Sequence, residues 1–292
     1  MSKIHRLVIY KHMFCLKVYK VYKVYMDIKK PKNKKKYQYK NRKIDNKYVY
    51  SGLINIYHDT VNYFSSMKRP DEDSIKYDVD DLIIELDKYQ QVNADPVIEF
   101  FNQDTLDVAQ SLVKQDYYPM VLNMASKFKP GGGVRTGKTA QEEVIFRRSN
   151  AFMTHPPEWY PLEQFDVIYS PLVYVVKDSD YNYLNNNEFA ISMLAVPAVR
   201  NPKLVEGKYR EDDEYIMRKK IESIFIIGIL QGTDSLVLGA LGSGAYNNPP
   251  EEVAKIYKEY LNKYSKYFKK IVFGILSTRD NNYQIFKDII AD

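Results

Sequence analysis

From residue 96 onward, short apolar runs alternate with stretches of helical periodicity. Val97-Ile98-Glu99-Phe100-Phe101, set between Pro96 and the polar Asn102-Gln103-Asp104-Thr105, predicts a strand. Leu106, Ala109, Leu112 and Val113 then recur at helical spacing, opened by an Asp or Thr cap. Residues 120–125 predict a second strand and 139–149 a second helix. Further strands are expected at 166–170, 172–176, 191–197, 236–239 and 271–276, several as near-continuous apolar runs of the kind found in strands covered on both faces. Between 251 and 268, Val253, Ile256, Tyr257, Tyr260, Leu261, Tyr264 and Phe268 mark a helix whose stripe packs on a core. Residues 80–88, after an acidic stretch from Asp71, read as a short helix or strand. Strands alternating with helices imply an α/β class with a mixed or parallel sheet and helices on both faces. In such sheets ligands bind beyond the carboxyl ends of the strands.

Glycine placement adds chemistry to that frame. Seven of the twelve glycines lie in two segments, Gly131-Gly132-Gly133-Val134-Arg135-Thr136-Gly137 and Gly239-Ala240-Leu241-Gly242-Ser243-Gly244. Each leads into a predicted helix start, where free N–H groups and about half a positive charge favour a phosphate. Gln141-Glu142-Glu143 follows the first segment at once, so paired carboxylates stand beside a phosphate cradle. An enzyme acting on a nucleotide-like substrate is expected.

Composition narrows the class. Hydrophobic residues at 45% and charged residues at 27% describe an ordinary globular chain of 292 residues. A single cysteine, Cys15, excludes an internal disulfide, and His5, His12, His58 and His155 lack ligand spacing, so no metal or other cofactor is expected. The net charge of +6 is uneven: residues 1–50 carry 16 basic residues against Asp27 and Asp45, which leaves −8 for residues 51–292. This basic, Lys/Tyr-rich arm suits either a poorly ordered, solvated tail, the favoured reading, or a segment holding nucleic acid or another anionic polymer. Lysines at every third position in residues 17–23 rule out a membrane span there, and no signal-peptide cleavage pattern follows. An intracellular location, cytoplasmic or nuclear, is expected, with no membrane partner.

Residues 132–139 satisfy the P-loop pattern G-x-x-x-x-G-K-[ST], with Lys138 reaching the outer phosphates and Thr139 a magnesium ion. Six residues separate Ala125 from Gly132, however, where a P-loop's first glycine follows its strand almost directly, and the second glycine loop would be left without a task. Another pattern uses every piece. Val121-Leu122-Asn123-Met124-Ala125-Ser126, Pro130-Gly131-Gly132-Gly133, seven further residues and Gln141-Glu142-Glu143 resemble the G-G-G-x(6–8)-Q-E-E signature of the microbial-type poly(ADP-ribose) glycohydrolases, which have a macrodomain-like fold. The resemblance continues at Tyr169-Ser170-Pro171-Leu172-Val173, from Leu236 to Pro250, and at Val272-Phe273-Gly274-Ile275, covering roughly residues 40–290.

The resemblance implies a three-layer α/β/α macrodomain-like fold, with residues 1–49 as the basic arm, 50–95 as an accessory helical segment and 96–292 as the hydrolase domain. It implies hydrolysis of ribosyl O-glycosidic bonds in ADP-ribose polymers or conjugates, without a metal, with Glu143 as general acid/base. Glu142, about 100° away on the helix, would bond ribose hydroxyls, and Gln141 would help hold the loop. Asn123 and Gly131, Gly132 and Gly133 would wrap the distal ribose. Gly242, Ser243, Gly244, Ala245 and Tyr246 would cradle the diphosphate, with Asn248 capping the next helix. Ser243 and Tyr246 depart from the family's usual G-C-G-V-F. Asp104 matches the acid that accepts from the adenine amino group in many macrodomains, and is equally explained as a helix cap. Substrates are ADP-ribose or its polymer, with ADP-ribosylated protein or nucleic acid as further partners through the arm. The alternatives are an ADP-ribose-binding module without catalysis, for which Glu142-Glu143 would be superfluous, and a P-loop NTPase.

Overall fold

The computed structural model describes residues 46–66, 74–92, 96–278 and 280–291, and side chains from residue 50. Residues 1–45 of the basic arm lie outside the described residues, and 46–49, its end, form the start of the first helix. In chain order the main elements are α1 (Asn46–Phe64), β1 (Ile75–Asp78), β2 (Val97–Phe101), α2 (Thr105–Val113), β3 (Pro119–Asn123), α3 (Gln141–Arg148), α4 (Ala151–Thr154), β4 (Asp166–Val175), β5 (Phe189–Ala195), a small hairpin of β6 (Leu204–Val205) and β7 (Lys208–Tyr209), α5 (Glu211–Leu230), β8 (Ser235–Leu238), α6 (Pro250–Tyr264), β9 (Lys270–Gly274) and α7 (Asn282–Ala291). Seven strands form one mixed sheet in the order β1-β4-β5-β3-β8-β9-β2. Strands β5, β3, β8, β9 and β2 run parallel, while β4 is antiparallel to both of its neighbours.

Alternation along each strand builds the three layers. Met120, Leu122, Leu236, Leu238, Ile271 and Phe273 point to the face covered by α5, α6 and α7. Val121, Val237, Val272 and Met193 point to the other, covered by α1, α2 and α3. Burying both faces explains why these strands read as continuous apolar runs. The stripe on α6 packs as expected, with Val253, Ile256, Tyr257, Leu261 and Tyr264 buried.

Several expectations change. The strands expected at 166–170 and 172–176 are one ten-residue strand, β4, carrying a register shift between Ser170 and Val173, so Pro171 interrupts the ladder without ending the strand. Residues 75–78, within the accessory segment, supply the edge strand β1 of the main sheet. The helix expected at 139–149 is shorter, starting at Gln141 behind an extended Ala140. Asn248 does not cap α6. Its amide donates to the carbonyls of Val199 (2.8 Å) and Gly242 (3.1 Å) while its oxygen accepts from Tyr209 Oη (2.8 Å), and Pro249 takes the cap position. Among the described residues no helix is long and apolar enough to cross a membrane.

Candidate active site

Two loops leave the carboxyl ends of neighbouring strands: residues 124–140 after β3, and 239–249 after β8. The first is anchored by the helix it leads into. Gln141 Oε1 accepts from Met124 N–H (2.8 Å) and its Nε2 donates to Leu122 O (2.7 Å), so one amide prolongs the ladder of β3 and fixes the start of α3 beside it. Behind the loop, α1 acts as a clamp. Arg147 Nε donates to Leu53 O (3.2 Å), Thr60 Oγ1 to Arg147 O (2.5 Å), and the buried Lys177 to Asp59 (2.8 Å) and Thr60 (2.8 Å).

Glu142 and Glu143 are both buried, at 3% and 7% exposure. Although about 100° separates them on the helix, the loop folds over the first turn and meets both. Glu142 accepts from Ser126 N–H (2.8 Å) and Gly131 N–H (3.2 Å), using one oxygen for each. Glu143 Oε1 accepts from Gly133 N–H (2.7 Å), and its Oε2 is buried without a partner among the described residues. Gly132, at φ +49°, lies where a Cβ would stand 2.7 Å from a Glu143 oxygen and 2.9 Å from a Glu142 oxygen, so no side chain fits between the acids and the loop. Burial pushes the Glu142 carboxyl up to about 8; the Ser126 N–H works against that shift, and the neighbouring Glu143 adds to it.

Asn123, at the end of β3, is fully buried; its amide lies against the Glu142 carboxyl, whose charged form it favours, and meets no other side chain or backbone partner among the described residues. A buried amide so incompletely paired is costly unless a ligand satisfies it. Tyr160 was not read from the sequence. Its hydroxyl is buried without a partner among the described residues, and burial, helped by the Glu142 charge, pushes its pKa up. It is 18 residues from Glu142 in a turn before β4, so no local pattern marks it.

In the second loop, Ser243 N–H is taken by Ala240 O (3.1 Å), whereas the N–H groups of Gly244, Ala245 and Tyr246 take no backbone acceptor among the described residues. Ser243 Oγ is also buried and unpartnered. A Cβ on Gly244 would meet nothing within 4 Å, while one on Gly242 would strike Asn248. Tyr246 Oη accepts from Lys127 N–H (3.3 Å), which ties this loop to the first. Asp104 takes the cap position expected as its alternative, accepting from Leu106 N–H (2.9 Å), and also pairs with the buried Arg148 (2.5 Å). The P-loop alternative fails on geometry. That motif needs Gly-Lys-Thr at a helix start, whereas here a 3₁₀ turn over Val134–Thr136 and a left-handed Gly137 come first, and the helix begins only at Gln141.

The family model of the microbial-type PARG catalytic domain matches residues 32–178, half of the chain, and spans β3, the first loop and both acids. The chain belongs to that family. Solved poly(ADP-ribose) glycohydrolases share the fold. The Thermomonospora curvata enzyme is 22% identical at a TM-score of 0.72, over 82% of this chain and 99% of that one. Its complex with the inhibitor ADP-HPD gives 0.71. The Deinococcus radiodurans enzyme with ADP-ribose gives 0.64, with 22% identity over 76% of this chain and 95% of that one. No curated protein sequence matches the chain. Family membership makes the chain a hydrolase of the poly(ADP-ribose) glycohydrolase type.

Proposed function

We propose that the chain hydrolyses ribosyl O-glycosidic bonds of poly(ADP-ribose) with Glu143 as general acid and then general base. The observation carrying this role is the unpartnered, buried Glu143 Oε2 on a carboxylate whose other oxygen is fixed by Gly133. Glu143 donates its proton to the ribosyl oxygen as the C1″–O bond breaks, leaving an oxocarbenium-like ribose. The carboxylate then takes a proton from a water whose oxygen bonds to C1″, and the acid is regenerated. The amide of Asn123, beside the Glu142 carboxyl, is suited to the distal ribose hydroxyls, and the free N–H groups of Gly244, Ala245 and Tyr246 to the diphosphate. Gly131, Gly132 and Gly133 shape the wall of the ribose site. A pure binding module would leave two buried carboxylates and their loop without purpose.

A second assignment of the acid has one observation in its favour. Glu142 is the carboxyl kept protonated to about pH 8. Both of its oxygens are already held by backbone N–H groups, however, which suits a donor to ribose hydroxyls and a support for the loop. Release of ADP-ribose from poly(ADP-ribose) under excess chelator, compared across the wild type, Glu143→Gln and Glu142→Gln, decides between them. Glu143→Gln is expected to lower kcat by about 10²–10⁴-fold with ADP-ribose affinity kept. A larger loss in Glu142→Gln would transfer the role. Binding of ADP-ribose with no turnover of polymer by the wild type would leave the reader module or a different bond, such as a protein or nucleic-acid conjugate.

A further inference from the structure

The carboxyl edge of the sheet gives the site a direction. Read across adjacent parallel strands, β8 leads to the diphosphate loop, β3 to Asn123 and the acid loop, and β5 to the segment 196–201. A substrate whose diphosphate lies over β8 and whose distal ribose lies over β3 therefore directs its leaving group toward β5. Two exposed residues meet there, one from each side of the cleft. Phe128, 54% exposed, stands two residues beyond Ser126, whose N–H holds Glu142, and its own N–H is held by Ser126 Oγ (3.2 Å). Arg200 follows β5 and precedes Asn201, whose N–H donates to Tyr246 O (2.8 Å) in the diphosphate loop. The Arg200 guanidinium lies over the Phe128 ring at 5.6 Å. Among the described residues Arg200 has no carboxylate within ion-pair distance, and neither do Lys127 and Lys129, which flank Phe128 in the chain, although residues 51–292 carry a net −8.

We propose that Phe128 and Arg200 form a subsite for the nucleotide on the leaving side of the scissile bond, with the adenine stacked on Phe128 and its phosphates held by Arg200, Lys127 and Lys129. The inference rests on the hydrolase reading above. In a ribose–ribose bond of poly(ADP-ribose) the departing oxygen is the 2′ oxygen of the preceding adenosine, so a purine and a diphosphate are attached directly to the leaving group. A sequence-tolerant aromatic face with a guanidinium beside it is the chemistry that holds such a unit. Free ADP-ribose has no leaving nucleotide and would not touch the pair.

The test measures kcat/KM on poly(ADP-ribose) and Kd for ADP-ribose in the full chain, for wild type, Phe128→Ala, Phe128→Trp and Arg200→Glu. Both positions are exposed, and thermal melts check that each variant folds. Phe128→Ala and Arg200→Glu are expected to lower kcat/KM by about tenfold with ADP-ribose affinity unchanged, and Phe128→Trp to restore it. Full polymer activity in both variants would overturn the subsite, as would an equal loss of ADP-ribose affinity, which would place the pair in the principal site. Loss in Arg200→Glu with Phe128→Ala silent would assign the rim to an acidic peptide and overturn the purine. A wild type that binds ADP-ribose and leaves polymer intact would instead defeat the hydrolase reading itself.

Discussion

Replacing Glu142 by Gln tests the electrostatics of the site. Glu142 is buried and accepts two backbone hydrogen bonds, and burial raises its carboxyl from 4.5 to about 8. In the unfolded chain the group loses its proton near its ordinary value, whereas in the folded chain it keeps it to about pH 8. Between those limits the folded state holds the extra proton, so wild-type stability falls as pH rises through the window and is fully retained only below it. At about 1.4 kcal/mol per pKa unit, the full effect is at most about 5 kcal/mol. For a domain of this size that corresponds to a Tm change on the order of 10 °C. Gln cannot titrate, and its Nε2 would face the N–H of Ser126 or Gly131, a fixed penalty of about 1–3 kcal/mol at every pH. Thermal melts of both proteins from pH 5 to 9 read the difference, in which titrating groups that do not interact with Glu142 cancel. The variant should start less stable at pH 5 and gain on the wild type steadily to pH 8. Parallel curves across the range would show Glu142 ionised throughout and refute the assignment of a neutral acid beside Glu143.

The glycines and the Asp104 ion pair give three further expectations. Gly132→Ala places a methyl carbon within 3 Å of both carboxylates at a positive φ; turnover should fall by about 10²-fold or more while stability drops by roughly 1–2 kcal/mol, measured by polymer release and thermal melts. Gly244→Ala meets no neighbour, so Tm should not move, while ADP-ribose affinity by calorimetry should weaken by about tenfold if the methyl enters the diphosphate cradle. Unchanged affinity would place the diphosphate elsewhere. Asp104→Asn keeps the cap on α2 but removes one of the two carboxylates that pair with buried Arg148. It should cost about 2 kcal/mol, less than the 3–5 kcal/mol of a fully broken buried pair. ADP-ribose affinity staying within about twofold would leave Asp104 as a cap and ion-pair partner alone, and a tenfold loss would support it as the adenine contact.

Features specified by near neighbours were legible in the chain. The strands β3, β8 and β9 announced themselves because burial on both faces demands continuous apolar runs, the edge strand β2 because its apolar residues are set between Pro96 and a polar stretch, and the stripe of α6 because one face packs. The two glycine loops and the acid pair were readable for a similar reason: loop, helix start and carboxylates lie within a few residues of one another. Other elements carried no clean local signal. Helix α5 is buried along Ile224, Phe225, Ile226 and Ile227, an apolar run with no helical face to detect. Strand β1 is four residues long with alternating exposure, and its identity depends on a partner about 90 residues away in β4. Which oxygens of the two acids are already held was decided by the fold. Glu142 and Glu143 are adjacent and chemically alike, yet Ser126 and Gly131 hold both oxygens of one while Gly133 leaves one oxygen of the other free. Tyr160 and the Phe128–Arg200 pair likewise gain meaning only when the sheet sets neighbouring strand ends side by side. The chain determines which groups are present and their local periodicity. Closure over long sequence separations determines which of their polar atoms are buried, which are already paired, and which remain for a substrate.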